Sequence, residues 1–340
     1  MLQTFANLPL KINEAISNLL SRQETTEWIS RAEKLHSSYM TREKDGEGNY
    51  INDFQDVLAY LGLRIPSTYA QIFGVLSQVQ EIIPSWEPKS LLDIGSGPGT
   101  GIWATKEIWP SIETATCIDK EKYFLSVGEE LTNKALEKVK TTWKQEDITQ
   151  LKVNSAQFDL VIIANVLNEL SDSQQKILLG QAYNHSSGII VIIEPGTSYG
   201  VNIIRKTAQT LIDKGNLLAP YINNSFVDDS QEWIHFPQRF IRPDFLRRIR
   251  QQMRTSSLMA SDWEETKYAY VAVGKIPPEE EVWGRVIGPI KKQKGFLEVS
   301  TLTKDEIEVV RVLKRHKKEY SFAKNLQWGQ IIRDSSNVIA

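Results

Sequence analysis

Cysteine is almost missing from this chain: Cys117 is the single one in 340 residues. That excludes a disulfide within the chain and agrees with a reducing compartment, so the cytoplasm is the expected location. Long apolar runs are missing too. No stretch reaches the ~20 residues that a bilayer span needs. The longest, Gly188 followed by Ile189, Ile190, Val191, Ile192 and Ile193, has the β-branched character of a buried parallel strand. The N-terminal residues lack the basic-then-apolar layout of a secretory signal and the arginine-rich, acid-poor character of an organelle presequence. The four histidines, His36, His185, His235 and His316, are dispersed without metal-ligand spacing, so no metal site is expected. There is no Asn-Pro-Pro-aromatic motif to position an exocyclic amine, no internal repeat and no extended low-complexity tract. A dominant charge is absent as well, with 40 Lys and Arg against 42 Asp and Glu. At 41% hydrophobic and 24% charged, the composition is that of an ordinary soluble protein, long enough for two or three domains with real cores.

The most informative passage that is present runs Leu91-Leu92-Asp93-Ile94-Gly95-Ser96-Gly97-Pro98-Gly99-Thr100-Gly101. It reads as a buried strand, a turn through alternate glycines, and the start of an amphipathic helix containing Ile102, Trp103 and Trp109. Glycine lets the backbone take positive φ and approach a ligand closely, and this is the nucleotide-cradling unit of doubly wound α/β folds. Pro98 removes a backbone N–H that would otherwise serve a pyrophosphate. A ligand with adenosine and no phosphate fits better, and S-adenosylmethionine is such a ligand.

Around this turn the pattern predicts an α/β fold with a mainly parallel sheet covered by helices on both faces, an N-terminal helical region and a small, basic, β-rich C-terminal domain. Residues 1–85 read as helices from the spacing of Leu58, Tyr60 and Leu61 and of Ile72, Phe73, Val75 and Leu76, punctuated by Pro66 and Pro84, with an exposed loop over 44–49 and Tyr50. Residues 86–275 form the cofactor-binding domain, with strands at 90–94, 114–118, 142–145, 158–164 and 189–193. A helix follows over 203–214, closed by Gly215. A long polar loop covers 221–233, Pro243 opens a helix, and 268–273 is a strand returning to the sheet. After a linker at 277–281, residues 282–340 hold a meander of three strands, 286–290, 296–302 and 307–313.

Ligands of open α/β sheets sit at the carboxyl ends of the strands, and several predicted strands end there in acids or amides. Asp93 and the loop residues Gly95, Ser96, Gly97, Gly99 and Thr100 would hold the cofactor. Asp119 lies 22 residues after Gly97, near the spacing at which an acid bonds a ribose diol. Asp147 could accept from an adenine amine, and Asn165 could contact the cofactor as well. Asn165, Asn168 and Glu194 would line the acceptor side and are the candidates for catalysis. Each has a plainer reading. Asp119 could cap the next helix, Asp147 could cap a helix before Ile148, Asn168 could satisfy a turn, and Glu194 could pair with a basic side chain. Cys117 reads as core.

The charge is unevenly spread. From 238 to 254 there are six arginines against one aspartate, and from 283 to 325 eleven Lys or Arg against five acids. Basic stretches in a mildly acidic protein point to an anionic partner met by one face, or to a solvated face. The partner residues implied are Arg247, Arg248, Arg250, Lys291, Lys292, Lys314 and Arg315.

Several segments carry a family likeness: Ala59-Tyr60-Leu61 with Arg64-Ile65-Pro66-Ser67-Thr68-Tyr69-Ala70, the glycine turn with Trp103-Ala104, Asn165-Val166-Leu167-Asn168-Glu169-Leu170, and Glu194-Pro195-Gly196-Thr197 with Ile204-Arg205. Trp233, His235-Phe236, Gln238-Arg239, Lys267-Tyr268, Arg285-Val286-Ile287 and Trp328-Gly329 continue it. On these residues the chain resembles the methyltransferase-like proteins associated with assembly of the mitochondrial small ribosomal subunit, and their bacterial relatives. The resemblance implies a Rossmann-like methyltransferase domain, small-subunit rRNA as partner, and a role in ribosome maturation or translation. It also marks a departure. Family members commonly carry four cysteines for an iron–sulfur cluster, and here Pro220-Tyr221-Ile222-Asn223-Asn224-Ser225 has none, Ile234 stands where a cysteine is expected, and Ser300 replaces the last. No iron–sulfur cluster is expected in this member. The expected activity is methyl transfer from S-adenosylmethionine to rRNA or a ribosomal protein. The alternative is a non-catalytic rRNA-binding assembly factor whose cofactor site is vestigial or regulatory. A small-molecule methyltransferase is disfavoured by the basic C-terminal half.

Overall fold

Four helices open the chain. In α1 (Leu10–Ser21), Ile12, Ile16 and Leu20 recur every fourth residue, and all three are buried. In α2 (Thr25–Thr41), Trp28, Ile29, Ala32 and Leu35 face the core. Asp53 caps α3 (Phe54–Leu63) by accepting the Gln55 and Asp56 N–H groups, and Arg31 of α2 pairs with both Asp53 and Asp56. Pro66 sits in the first turn of α4 (Ile65–Gln80), where its missing N–H costs nothing. This helix is buried round most of its girth. The computed structural model describes residues 5–22, 25–41, 51–150, 156–227, 232–252 and 261–339. The loop expected over 44–49 with Tyr50, and Met253 and Arg254 at the end of the basic run, lie outside the described residues.

From residue 90 strands and helices alternate: β1 (Ser90–Ile94), α5 (Thr100–Ile108), β2 (Thr114–Asp119), α6 (Lys122–Ala135), β3 (Lys140–Gln145), β4 (Phe158–Ala164), α7 (Asp172–His185), β5 (Ser186–Pro195) and α8 (Ser198–Leu211). Then come β6 (Asn216–Ala219), β7 (Phe236–Ile241), α9 (Asp244–Gln252) and β8 (Trp263–Gly274). Among the described residues the main sheet runs β3-β2-β1-β4-β5-β8-β6, with β7 pairing the near end of β8. The first five are parallel, and β8 is antiparallel to its neighbours. Leu160, Val161, Ile162 and Ile163 of β4 and Ile189 to Ile193 of β5 are buried, as central strands covered on both faces must be.

The expected helix over 203–214 begins earlier, at Ser198. Thr197 caps it by accepting the Gly200 N–H at 3.1 Å. Gly215 does not close it, because the helix ends at Leu211. A side chain at 215 would instead meet the Gly274 carbonyl of β8 at 2.7 Å, so close strand approach explains this glycine. The polar loop expected over 221–233 is flanked by two unforeseen strands, β6 and β7. Phe236, Gln238 and Phe240 alternate inward on β7, while Pro237 is tolerated because the strand lies at an edge.

The C-terminal sheet is built from β9 (Gly284–Val286), β10 (Lys291–Gln293), β11 (Phe296–Thr303), β12 (Ile307–Leu313) and β13 (Ile331–Ile332), with α10 (Lys317–Lys324) against it. The strand expected over 286–290 stops at Val286, ahead of Gly288 and Pro289, and the hairpin of β10 and β11 follows. Val286, Leu297, Val299, Val312 and Ile332 form its core. The N-terminal helices and the main sheet share a larger, continuous core that also takes in Val282, Ile287, Leu302 and Ile331 from the C-terminal region. Arg285, wholly buried, bridges the two. Its Nε donates to the Pro220 carbonyl at 3.1 Å, and its Nη1 to Gln78 Oε1 and the Gly329 carbonyl at 2.8 Å each. Among the described residues no helix is long and apolar enough to cross a membrane.

Candidate functional site

Gly95 and Gly97 carry the turn from β1 into α5 at positive φ, +71° and +52°. Their surroundings differ. A side chain at Gly95 would lie 2.4 Å from Val166 Cγ2, whereas one at Gly97 would meet nothing within 4 Å. The turn is therefore packed from below by the loop after β4 and opens outward at Gly97. Ser96 and Thr100 are buried in the turn, and Trp143 of β3 closes its far side against Gly99 and Gly128.

The acids at the strand tips are engaged with backbone. Asp119 accepts the Gly97 N–H at 2.8 Å and the Glu121 N–H at 2.9 Å, tying the glycine turn to the entry of α6. Burial raises its pKa, and those two bonds oppose the rise. It does not cap α6, whose N-cap is Glu121 without a side-chain bond, but it holds the turn into that helix and a place beside Gly97. Asp93 is not at the surface of the turn. Its carboxyl is buried against Gly101 at the start of α5, and burial with repulsion from Asp119 pushes its pKa up to about 7. Cys117 stands opposite Asp93 in the β1–β2 register, and burial drives its thiol pKa up, as expected of a core residue.

Asp147 is exposed. Oδ1 accepts the Thr149 N–H at 2.9 Å and the Thr149 hydroxyl at 2.8 Å, so it caps the short helical turn Ile148–Gln150, and those bonds lower its pKa. Glu194 does not line an open acceptor site, nor does it pair with a basic side chain. It is fully buried and accepts the Val166 and Leu167 N–H groups at 3.1 and 2.8 Å. Burial pushes its pKa up to about 8 against those bonds. Its chemistry is to shape the loop 165–169. Asn165 heads that loop at φ +58°, the left-handed region asparagine tolerates. Its Nδ2 donates to Gln71 Oε1 at 3.1 Å, while its Oδ1 is buried without a hydrogen-bond partner. Asn168 is half-buried beside Glu194.

Sequence reasoning gave no role to the N-terminal helices here, yet they reach the carboxyl ends of the strands. Tyr60 of α3 packs on Phe124 of α6 with ring centroids 4.8 Å apart, and its buried hydroxyl lies near Arg64, Thr68, Glu169 and Asp119. Gln71 of α4 accepts from Asn165 and donates to Thr266 Oγ1 and the Lys267 carbonyl of β8. The signal was the set of polar residues from Tyr60 at the end of α3 to Thr68 and Gln71 on α4, a helix otherwise buried.

The basic residues divide. Arg250 is no surface cation, because it makes two hydrogen bonds to Glu264 at 3.0 and 3.1 Å with both side chains about a tenth exposed. Burial on the apolar side of α9 demands that partner. Arg247 donates to the Arg242 carbonyl, and Arg248 is exposed. Lys291, Lys292, Lys314 and Arg315 do converge. Gln293 faces Phe296, Phe296 faces Leu313, and the Lys314 N–H donates to the Gly295 carbonyl, so all four lie near one end of the C-terminal sheet.

The segment where the resemblance places cluster ligands is held by ordinary contacts. Tyr221 packs on Phe226 at 5.1 Å, Asn224 Oδ1 accepts the Leu217 N–H at 2.7 Å, and Tyr221, Ile222 and Ile234 are buried. These residues offer no thiolate and do not fit an iron–sulfur cluster.

A parallel run of strands ordered 3-2-1-4-5, an antiparallel strand beside the fifth, and a glycine turn after the first define a Rossmann-like fold of the class I methyltransferase type. The chain belongs to the family described as mitochondrial small ribosomal subunit Rsm22, whose model matches residues 54–333. It is similar to the human mitochondrial ribosome assembly protein METTL17, 23% identical over 321 residues that cover 90% of this chain and 68% of that protein. It is also similar to a mitochondrial Rsm22-cox11 tandem protein of Schizosaccharomyces pombe, 23% identical over half of this chain. The chain spans 24% of that relative's length. Among solved structures it is similar to magnesium protoporphyrin IX methyltransferase from Synechocystis (10% identity, 71% of this chain, 91% of that one, TM-score 0.39). It is likewise similar to N-methyltransferase NodS from Bradyrhizobium japonicum (14% identity, 72% and 98%, TM-score 0.37).

Proposed function

We propose that this chain is an S-adenosylmethionine-binding, methyltransferase-like protein that acts at the small ribosomal subunit during its assembly. The observation that carries the cofactor reading is the open side of Gly97 at the tip of β1, next to a buried acid, Asp119. Family membership carries the ribosomal one. The turn residues Gly95, Ser96, Gly97, Gly99 and Thr100 would hold the ligand's backbone-facing side. Asp119 has lone pairs left for a ribose hydroxyl, as does Asp147 for an adenine amine. When bound, S-adenosylmethionine supplies an electrophilic methyl group on a sulfonium. Asn165, with an unpartnered amide oxygen, would orient an acceptor's donor group, and Asn168 would help shape that side. Methyl transfer to a good nucleophile is helped chiefly by such positioning. Lys291, Lys292, Lys314, Arg315 and Arg248 would meet rRNA phosphates, an interaction that weakens with salt.

We read residues 1–85, 86–275 and 282–340 as the helical, cofactor-binding and RNA-contacting regions, and the cytoplasm as the compartment that one buried cysteine suits. One observation favours the second reading, a non-catalytic rRNA-binding factor: Glu194 is sealed under its loop and cannot reach an acceptor. Calorimetry with S-adenosylmethionine tests the cofactor. A transfer assay on immature small subunits, with labelled methyl, then decides between the two. Binding without transfer supports the non-catalytic reading, and no binding overturns the cofactor assignment.

A further inference from the structure

The first residues of β8, 263–266, project past the end of β5 and pair with β7 on their outer side, giving a two-stranded ribbon beside the mouth of the site, while Lys267 and Tyr268 still meet Gly196 and Pro195 at the end of β5. One face of this ribbon, carrying Thr266, Tyr268 and Gln238, packs on α4. The other carries Trp263, Glu265 and Lys267 on β8 opposite Ile241, Arg239 and Pro237 on β7. That face exposes large apolar side chains between its charges. Trp263 and Ile241 are 37% and 45% exposed, and Trp233, just before β7, is 50% exposed. Each tryptophan has a cation against its ring: the Arg239 guanidinium lies 4.6 Å from the Trp263 centroid, and the Lys267 ammonium 5.5 Å from that of Trp233. Glu265 is neutralised by Arg239 at 3.2 Å. Behind Trp233, His235 and Trp328 continue a line of rings at 4.4 and 4.9 Å. Burial and the nearby Lys267 lower the pKa of His235 and so favour its neutral form.

We infer that this ribbon face is a stacking platform for unpaired bases of single-stranded RNA. The inference rests on the ribosomal reading above and names the form of RNA that its site would take. Exposed indoles offer flat surfaces to bases of any sequence, and cations beside them meet the phosphates of the same strand. Lys267 lies four positions after Trp263, a span of about 13 Å along a strand, close to four stacked bases at ~3.4 Å each. A duplex buries its base faces and cannot use the rings. An acidic peptide would use the cations and leave the rings without partners. The platform is also joined to the candidate acceptor site. The Lys267 carbonyl and the Thr266 hydroxyl accept from Gln71, which in turn accepts from Asn165. This chain of bonds runs along the α4 side of the ribbon, beneath the platform.

The test uses the full chain and a fluorescently labelled, unstructured 12-nucleotide RNA, with affinity read by anisotropy at fixed salt. The double variant Trp233→Ala, Trp263→Ala should bind at least about 5-fold more weakly, the lower end for loss of one base–aromatic stack. Trp233→Phe with Trp263→Phe should recover most of that loss, which a merely structural effect of truncation would not predict. Lys267→Gln should flatten the dependence of log affinity on log salt by ~0.7, one phosphate contact of a single strand. Equal affinity of the wild type and the double alanine variant overturns the proposal. So does tighter binding of a 12-base-pair duplex than of the single strand, or displacement of the RNA by a poly-glutamate peptide at equal charge. Failure of the cofactor reading is read separately, as absence of heat on adding S-adenosylmethionine to wild-type protein.

Discussion

Gly97→Ala separates the binding of a ligand from the integrity of the fold. Its φ of +52° lies in the left-handed region, where a non-glycine residue costs ~1–2 kcal/mol. Nothing stands within 4 Å of the added methyl, so no packing cost follows. The melting temperature should fall by no more than about 2–4 °C per kcal/mol, measured by scanning calorimetry. The space the methyl enters is, on our reading, the ligand's. Affinity for S-adenosylmethionine should drop at least tenfold, a loss of ~1.4 kcal/mol by isothermal calorimetry. Gly95→Ala, two residues away, has the opposite profile. Its methyl would lie 2.4 Å from Val166 Cγ2, so overpacking of ~1–3 kcal/mol adds to the backbone cost. Its loss of stability should exceed that of Gly97→Ala. If Gly97→Ala binds the cofactor as tightly as wild type, the open side of the turn is not a cofactor site and the reasoning fails.

Three more outcomes follow from the same geometry. Glu194 has a pKa raised from 4.5 to about 8, so its contribution to stability is complete below pH 4.5 and is lost as pH rises through 8. Relative to Glu194→Gln, wild type should lose at most about 5 kcal/mol between pH 5 and 9; parallel melting curves across that range would refute the buried, neutral carboxyl. Arg250→Met leaves Glu264 with Arg242 as its remaining close guanidinium, so denaturant melts should show a loss of ~2 kcal/mol while RNA affinity is unchanged. Changing Lys291, Lys292, Lys314 and Arg315 together to Gln should do the reverse. The salt slope of RNA binding should fall by up to ~0.7 for each phosphate no longer neutralised, with little change in melting.

The sheet was legible because each inner strand advertises itself. The apolar β-branched runs of β4 and β5 have no other stable placement, and the glycine turn marks where β1 ends. The strands at 90–94 and 158–164 agree residue for residue with β1 and β4. Boundaries failed where the deciding group was a single side chain or a distant backbone. Thr197 starts α8 by one hydrogen bond, and β6 and β7 exist only because β8 is there to pair with them. Position at a strand tip was legible for Asp119, Asp147 and Glu194, but their partners were not. A carboxylate's choice between a ligand and a backbone N–H depends on loop conformation, which periodicity does not encode. Arg250 misled for the related reason that a charge run on a helix does not say which charge faces Glu264.

Those engagements change what the acids can mean. Asp93, Asp119, Asp147 and Glu194 each account for the conformation of their own loop, so their shared register at the strand tips is no longer independent support for an adenosyl ligand. The Gly97 opening is the observation that a loop's own stability does not explain, and the Asn165 oxygen stays without a partner, as Asp93 Oδ2 and Glu194 Oε2 do. Of the three residues put forward for the acceptor side, Glu194 is closed off and two are amides, which orient a nucleophile without taking its proton. If this chain transfers methyl groups through those residues, its acceptor must already be nucleophilic at neutral pH. An unprotonated ring nitrogen of a base meets that condition; an exocyclic amine, whose lone pair is delocalised into the ring, and a sugar hydroxyl do not.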